Sequence, residues 1–424
     1  MNLLDSLAVF TLGYPSVMAT IWICGGVYFY LHWERKQPRT TTFQWQADAP
    51  SVSVLLPCYN EGLNVDETVQ HLFKQNYPDM EVVAINDGSR DDTLARLTAL
   101  AATHPRLTVL DQPNQGKASA MNHGLSRARG EIIVGIDGDA ILDYDAVGFM
   151  VSHFLSSPRV SGVTGNPRVR TRSTAIGKIQ TGEFSAIIGL IKRAQRIYGM
   201  VFTISGVICA FRRQALEEIG GWSTDMITED IDVSWRLQLA GGQVRYEPRA
   251  MCWVLMPETL RGLYKQRLRW AQGGGEVFLR YFTQTMRWRN RRFWILMLEY
   301  IVSVIWCYSV LVLMLAWLVT TLLSPWSFPV TAGMLSYFGS LLVFISFIQF
   351  SVSFYIDSRY DREILKCVYW SIWYPFAYWL LNMTTVIVAF PKAMRRQKGR
   401  LATWQSPDRG EMFHEQQADS RDHR

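Results

Sequence analysis

Long apolar stretches at the two ends of the chain frame a region of short alternating elements. Ser6–Leu31 carries no charged residue over 26 positions. A helix needs roughly 20 apolar residues to cross the hydrocarbon core of a bilayer. No basic segment precedes this stretch and no A-x-A cleavage pattern follows it, so it reads as an anchor rather than a secretory leader. Glu34-Arg35-Lys36 come next. Lysine and arginine collect on the cytoplasmic side of a span, which places the N-terminus outside and the following region in the cytoplasm. Phe293–Leu323 (containing Glu299), Val330–Ile356 and Val368–Phe390 are also each long enough to span. Glu299 is expected either to snorkel to the interface or to line a polar path. Counting all three spans puts the tail outside, yet Lys392, Arg395, Arg396, Lys398 and Arg400 ask for the cytoplasm. One of the three is therefore expected to lie in the interface or to re-enter.

From about Pro50 the pattern shortens. Val52–Pro57, Glu81–Asn86, Leu107–Leu110 and Ile132–Asp137 are apolar runs of strand length, separated by helical stretches such as Asn64–Gln75 and Asp91–Ala102. Strands alternating with helices predict an α/β domain on a parallel sheet. Asn60, Asp87, Asp137 and Asp139 all fall at the C-terminal ends of these strands, where open α/β sheets bind ligands. The expected organisation is a membrane helix over 1–34, the α/β domain with interfacial helices over 45–290, a membrane region over 291–390, and a basic, then disordered, tail over 391–424. Within Gly177–Gly199, apolar residues recur at helical spacing with Lys192, Arg193 and Arg196 between them. That pattern suits an amphipathic helix lying on a membrane surface, or a core-facing helix.

Charge and cysteine narrow the choices. The net charge of +7 is concentrated between Arg261 and Arg292, where nine arginines and lysines face a lone Glu276. A long apolar run follows at once, so this cluster marks the cytoplasmic membrane face and its lipids rather than a nucleic-acid surface. The six cysteines form no C-x-x-C pair, which argues against a zinc site and for buried free thiols in a reducing compartment.

Three motifs carry the chemistry. Asp137-Gly138-Asp139 puts two carboxylates at a strand end, where they repel unless something neutralises them. Mg²⁺ or Mn²⁺ bridging Asp139 to a diphosphate would do so. Thr228-Glu229-Asp230 opens a helix. It reads either as an N-cap with acidic residues complementing the helix dipole, or as Asp230 placed as a general base for an acceptor hydroxyl. Gln266-Arg267-Leu268-Arg269-Trp270 sets Gln266, Arg269 and Trp270 on one helical face. Arg269 suits a diphosphate, and Trp270 offers a platform for a sugar ring. Asn86-Asp87-Gly88-Ser89 reads as a turn and helix cap, or as Asp87 receiving a nucleobase or ribose. Asn60 and Glu61, in Pro57-Cys58-Tyr59-Asn60-Glu61, would form the other wall of that pocket. Asn114-Gln115-Gly116-Lys117 offers a glycine turn and a lysine suited to phosphate, without the spacing of a P-loop.

Taken in order, Asp87, D-x-D, T-E-D and Q-x-x-R-W resemble the processive, membrane-bound family 2 glycosyltransferases, which include cellulose, hyaluronan and chitin synthases. The resemblance is closest to the bacterial poly-β-1,6-N-acetylglucosamine synthases that polymerise biofilm exopolysaccharide. It extends through Val163–Arg168, Ile204–Val207, Tyr246–Pro248, Met256–Thr259 and Gln266–Gly274 to Ser406–Gly410. It implies a GT-A-like (Rossmann-like) catalytic domain in the cytoplasm of an inner-membrane protein, with transmembrane helices on both sides. The donor would be UDP-N-acetylglucosamine and the acceptor the growing polysaccharide. Asp87 would hold the uridine, Asp137 the nucleotide and Asp139 the metal. Asp230 would be the base, and Gln266, Arg269 and Trp270 would bind the diphosphate and the acceptor end. Some relatives have two N-terminal spans where this chain shows one. A small membrane partner is expected in export, and any cyclic-di-GMP control is expected to act through a partner subunit. The rival readings are a single transfer to a lipid carrier and a non-catalytic membrane channel or scaffold.

Overall fold

The structure, a computed structural model, describes residues 3–37, 49–323, 330–396, 399 and 401–402. The expected disordered tail and the Ser406–Gly410 segment lie outside the described residues, as do Lys398 and Arg400. The chain enters through α1 (Leu3–Phe29), which continues as a π-helical turn to Glu34. Next come β1 (Val52–Cys58), α2 (Val65–Phe73), β2 (Met80–Asp87), α3 (Thr93–Thr103), β3 (Leu107–Gln112), α4 (Lys117–Arg127) and β4 (Ile132–Ile136). These four strands are parallel, in the order β3-β2-β1-β4. Every residue of β1 and β4 is buried, as strands covered on both faces by crossover helices must be. Leu55, Ile85 and Ile133 pack on Met121 and Leu125 of α4 on one face. Val54, Val82 and Val134 belong with Val69 and Leu72 of α2 on the other.

Beyond β4 the sheet departs from the parallel expectation. β5 (Ile141–Leu142), α5 (Ala146–Ser156), β6 (Val160–Val169), α6 (Ala175–Glu183), α7 (Leu190–Tyr198), β7 (Ile208–Arg212), α8 (Arg213–Glu218), α9 (Glu229–Leu239) and β8 (Gln243–Val254) complete an eight-stranded sheet of order β3-β2-β1-β4-β7-β6-β8-β5. β7 is antiparallel to both β4 and β6. Its first residue, Ile208, pairs with Ile136 at the far end of β4, so the chain comes into β7 from the strand-end edge and runs back. The turn before it, Ser205–Gly206, is therefore delivered to the edge that carries Asp137.

There follow α10 (Leu260–Thr285), which packs on the α/β domain, then α11 (Phe293–Leu323), α12 (Val330–Asp357), a 3₁₀ segment over Arg362–Trp373, and α13 (Tyr374–Arg395). Three helices among the described residues are long and apolar enough to cross a membrane: Leu3–Glu34, Phe293–Leu323 and Gly339–Asp357. Val368–Phe390, expected to be long enough to span, is divided between the 3₁₀ segment and α13. Pro375, Asn382, Thr384 and Thr385 dilute its apolar character. Asp357 receives Arg168 of β6 at 2.8 Å, and Arg396 reaches Glu276 of α10 at 2.8 Å and the Asp225 carbonyl at 3.0 Å. Both ends of 357–396 thus rest on the α/β domain, so the segment leaves and returns on one side. Arg396, just past α13, is therefore held on the side of the α/β domain.

Gly177–Gly199 is not a helix lying on a surface. It forms α6, a π-helical turn over Phe184–Gly189, and α7, and α7 is clamped against α1. A Cβ at Gly25 would lie 2.7 Å from that of Ala194, and one at Gly26 would lie 2.2 Å from Leu190 Cδ1, so two adjacent glycines permit the approach. Lys192 and Arg193 are buried. Arg193 donates to both Glu34 oxygens at 2.8 and 2.9 Å and to Asp357 at 2.9 Å. The cationic face turns inward because its counter-charges lie there. Glu299 likewise points to neighbours, accepting from Trp22 Nε1 at 3.2 Å and Tyr198 OH at 3.3 Å. Five cysteines are buried free thiols as expected, but Cys24 is exposed on the outer side of α1.

Candidate active site

The ends of β1, β2 and β4 build one wall. Asn60 adopts φ 55°, a left-handed conformation that Asn tolerates better than most residues. Its Oδ1 accepts from the Arg90 amide at 2.8 Å, and its own amide donates to Ser89 Oγ at 3.0 Å, tying the β1 loop to the β2 loop. Glu61 is buried and accepts from Asn64 Nδ2 at 3.0 Å. A Cβ at Gly138 would come within 2.9 Å of Glu61 Cγ, so the middle of D-x-D has little room for a side chain. Asp87 accepts from the amides of Gln115 and Gly116, both at 2.9 Å, and from Gln112 Nε2 at 2.8 Å. Its carboxylate shapes the turn at Gly116 (φ 89°) that opens α4.

That turn aims Lys117 into the site. Its Nζ lies 2.5 Å from Asp137, 3.3 Å from Glu229 and 3.2 Å from the Gly206 carbonyl. Burial alone would weaken the ammonium. Asp137, Glu229 and Asp230 more than offset it and hold the group above the ordinary lysine value. Lys117 is thus a fixed cation joining D-x-D to T-E-D.

Helices build the facing wall. Asp230 accepts from the Ile231 amide at 2.9 Å and the Gly206 amide at 3.3 Å. Burial first, then Glu229, pushes its carboxyl up to about 6, against Lys117, the Ile231 amide and Arg269. Thr228 makes no side-chain cap to α9, and its hydroxyl is buried without a hydrogen-bond partner among the described residues. The expected Thr228 cap is thus not made, and Asp230 itself meets a first-turn amide. α10 passes so close that a Cβ at Gly273 would lie 2.2 Å from Thr228 Oγ1. On α10, Gln266, Arg269 and Trp270 line the cavity together, as their spacing requires. Arg267 turns away to Glu183 at 2.5 Å and stacks 4.1 Å from the Trp270 ring centroid, bracing it.

The cavity between the walls holds about 310 Å³ and gathers Lys117, Asp137, Asp139, Asp230, Gln266, Arg269 and Trp270. That is the lower end of the size range of ligand sites. Asn60, Glu61 and Asp87 stand outside its lining, behind the strand-end loops. No group of three or more His, Cys, Asp or Glu suited to a metal occurs among the described residues. The donor set still fits Mg²⁺ or Mn²⁺ at Asp139, because such ions commonly take one or two carboxylates and complete their shell with phosphate oxygens and water. Lys192, Ser205 and Glu229 also line the cavity, and sequence reasoning gave none of them a role there. The sequence pattern leaves Lys192 on either a membrane-surface or a core-facing helix, and its burial agrees with the second. A cation inside an apolar helical face just ahead of Ser205-Gly206 was the available signal.

Across one cavity the strand-end carboxylates Asp137 and Asp139 face Asp230 and the arginine-bearing α10, on a glycosyltransferase fold of GT-A type. The architecture agrees. Over 91% of this chain and 99% of the other, at a TM-score of 0.63 and 22% identity, it matches the mannosyltransferase PcManGT of Pyrobaculum calidifontis, solved with GDP-Man and Mn²⁺. Residues 49–273 match the family described as glycosyltransferase like family 2, and the chain belongs to that family. It is 42% identical over 403 residues to the poly-β-1,6-N-acetyl-D-glucosamine synthase of Staphylococcus epidermidis strain ATCC 35984, covering 95% of this chain and 98% of that protein. It is also 42% identical over 407 residues to the enzyme of the same name from Staphylococcus aureus strain COL, with the same coverage.

Proposed function

We propose that the chain is a membrane-bound, processive, inverting glycosyltransferase. It polymerises N-acetylglucosamine from UDP-N-acetylglucosamine into a β-1,6-linked biofilm exopolysaccharide. The observation that carries this reading is the convergence of Asp139, Asp230, Arg269 and Trp270 on one cavity. The sugar and linkage come from the named activity of the staphylococcal relatives.

Asp230 takes the proton from the 6-hydroxyl of the chain end, and that oxygen attacks the anomeric carbon as the bond to UDP breaks. Arg269 and Lys117 meet the negative charge that develops on the departing diphosphate. Trp270 carries the acceptor ring, and Gln266 and Asp137 orient polar groups around the transfer. Asn60, Glu61 and Asp87 shape the uridine end. A bound Mg²⁺ or Mn²⁺, held by Asp139, supplies further charge neutralisation at the diphosphate. The catalytic domain faces the cytoplasm and the N-terminus lies outside the inner membrane. The polymer starts its export here, with a small partner completing the path.

The test is incubation of membranes containing the protein with a panel of UDP-sugars, followed by linkage analysis. A β-1,6 polymer from UDP-N-acetylglucosamine that vanishes with chelator is the expected result. A polymer of another sugar, another linkage, or full activity in excess chelator would overturn the corresponding part.

A further inference from the structure

Lys192 plays no part in the reaction just described, yet its side chain lines the same cavity as Asp230. Its Nζ donates to Ser205 Oγ at 2.7 Å and Thr164 Oγ1 at 3.0 Å. The Ser205 amide donates to the same Thr164 oxygen at 2.9 Å. These contacts close a triangle around the turn that precedes β7. The next residue, Gly206, donates its amide to Asp230 at 3.3 Å and gives its carbonyl to Lys117 at 3.2 Å. A Cβ at Gly206 would sit 3.2 Å from Lys117 Nζ and 3.3 Å from Asp230 Oδ2, so the backbone there is close on both. Where Ser205–Gly206 sits therefore decides how Asp230 is held.

A buried lysine is a poor packing residue, since its ammonium must be desolvated. Burial pulls Lys192 down to about 7, with Asp230 and Cys209 acting in the opposite direction. A methionine would occupy similar space without that loss. The helix is also fixed from behind, because the neighbouring Arg193 is held by Glu34 and Asp357. Resting on the glycosyl-transfer reading above, we infer that Lys192 is a positioning residue for that reaction: through Thr164 and Ser205 it fixes the Gly206 amide against Asp230, and it sets a positive charge facing that carboxylate. The charges acting on Asp230 come from Glu229 on its own helix, Lys117 on α4, Arg269 on α10 and Lys192 on α7. Lys192 itself is faced by Asp230, by Cys209 of β7 and by the Tyr246 ring of β8, 6.0 Å from its nitrogen.

The experiment compares the full-length wild type with K192M, K192R and S205A in membranes, measuring UDP release from UDP-N-acetylglucosamine against pH. K192M should lower kcat roughly 10–100-fold, the scale of a lost charged hydrogen bond, with donor KM little changed. It should also move the acidic limb of the rate profile to higher pH, because a cation facing a carboxylate lowers its pKa. K192R should recover part of the rate and return the limb. S205A keeps the ammonium, so it should lower kcat and leave the limb in place. Wild-type kcat in K192M overturns the inference. So does a loss of rate with an unmoved limb and no recovery in K192R, which is what a purely structural lysine would give. If K192M does not accumulate, wild-type kcat in S205A overturns it equally. A wild type that releases no UDP sinks the parent reading, whereas an active wild type matched by K192M sinks this one alone.

Discussion

The two walls of the cavity treat charge in opposite ways. At the strand ends two acids are matched: Asp137 by Lys117 within the cavity, and Asp87, outside its lining, by two backbone amides and Gln112. On the helical wall Asp230 sits beside Glu229 and is pushed upward. Matched charges fix a shape, and a mismatched one is ready to exchange a proton. The strand-end wall is thus suited to gripping a donor that is the same in every cycle. In the proposed reaction the helical wall would carry the step at which an acceptor loses a proton.

The contrast breaks most sharply at Asp230. Asp230→Asn should lower polymerisation by about 10²–10⁴-fold while UDP binding, measured by calorimetry, persists. The same change should raise thermal stability. A carboxyl whose folded pKa is raised from 3.8 to about 6 contributes stability below the unfolded value, and that contribution is lost as pH rises through 6. At neutral pH the ionised group is held at a cost that asparagine escapes. The wild-type rate should correspondingly fall as pH drops through about 6. A limb near 4, or a less stable Asn variant, would show that the helical wall is matched after all.

Arg193→Met should be next. It leaves Glu34 and Asp357 buried without their shared cation, a loss of about 3–5 kcal/mol visible as a lower melting temperature in detergent. Gly273→Ala should cost about 1–3 kcal/mol by overpacking, since the methyl meets three Thr228 atoms at 2.2 to 2.7 Å. It should slow kcat more than it raises donor KM, because it separates α10 from T-E-D and leaves the strand ends alone. Asp225→Ala should do least. Its pair with Arg280 is about a quarter exposed, and a pair of that kind contributes about 0.2–1 kcal/mol. A larger loss would mean that the contacts of Arg396 and Gly399 with this loop matter more than the ion pair itself.

Much of the strand-end wall was legible in the sequence. β1, β2 and β4 are continuous apolar runs, and the polar residues that end them fall where parallel strands must end. Gln266, Arg269 and Trp270 shared a face because helical spacing alone dictates it. The misreadings have one physical origin. Lys192 and Arg193 alternate with apolar residues as a membrane-surface helix would, and local pattern does not reveal that Glu34 and Asp357, more than 150 residues away on either side, wait as counter-charges. The antiparallel β7 was missed for the same reason, since strand direction depends on where the preceding excursion ends. Asp87, expected to receive a nucleobase or ribose, lies outside the cavity lining and bonds the Gln115 and Gly116 amides, a contact that local sequence does not reveal.

The cluster of Glu34, Arg193, Asp357 and Arg168 also bears on how the chain is made. Its members emerge from the ribosome in the order 34, 168, 193, 357. Until Asp357 arrives, Arg193 has Glu34, and Arg168 has no carboxylate within the cluster. The catalytic sheet can form early, but its docking to the first helix stays electrically unfinished until the second-to-last long helix has been inserted. A chain cut short before α12 ends would carry every residue of the cavity and still lack one of the two carboxylates that hold Arg193 of α7. The last third of the sequence thus supplies the second carboxylate on Arg193 and the one that meets Arg168.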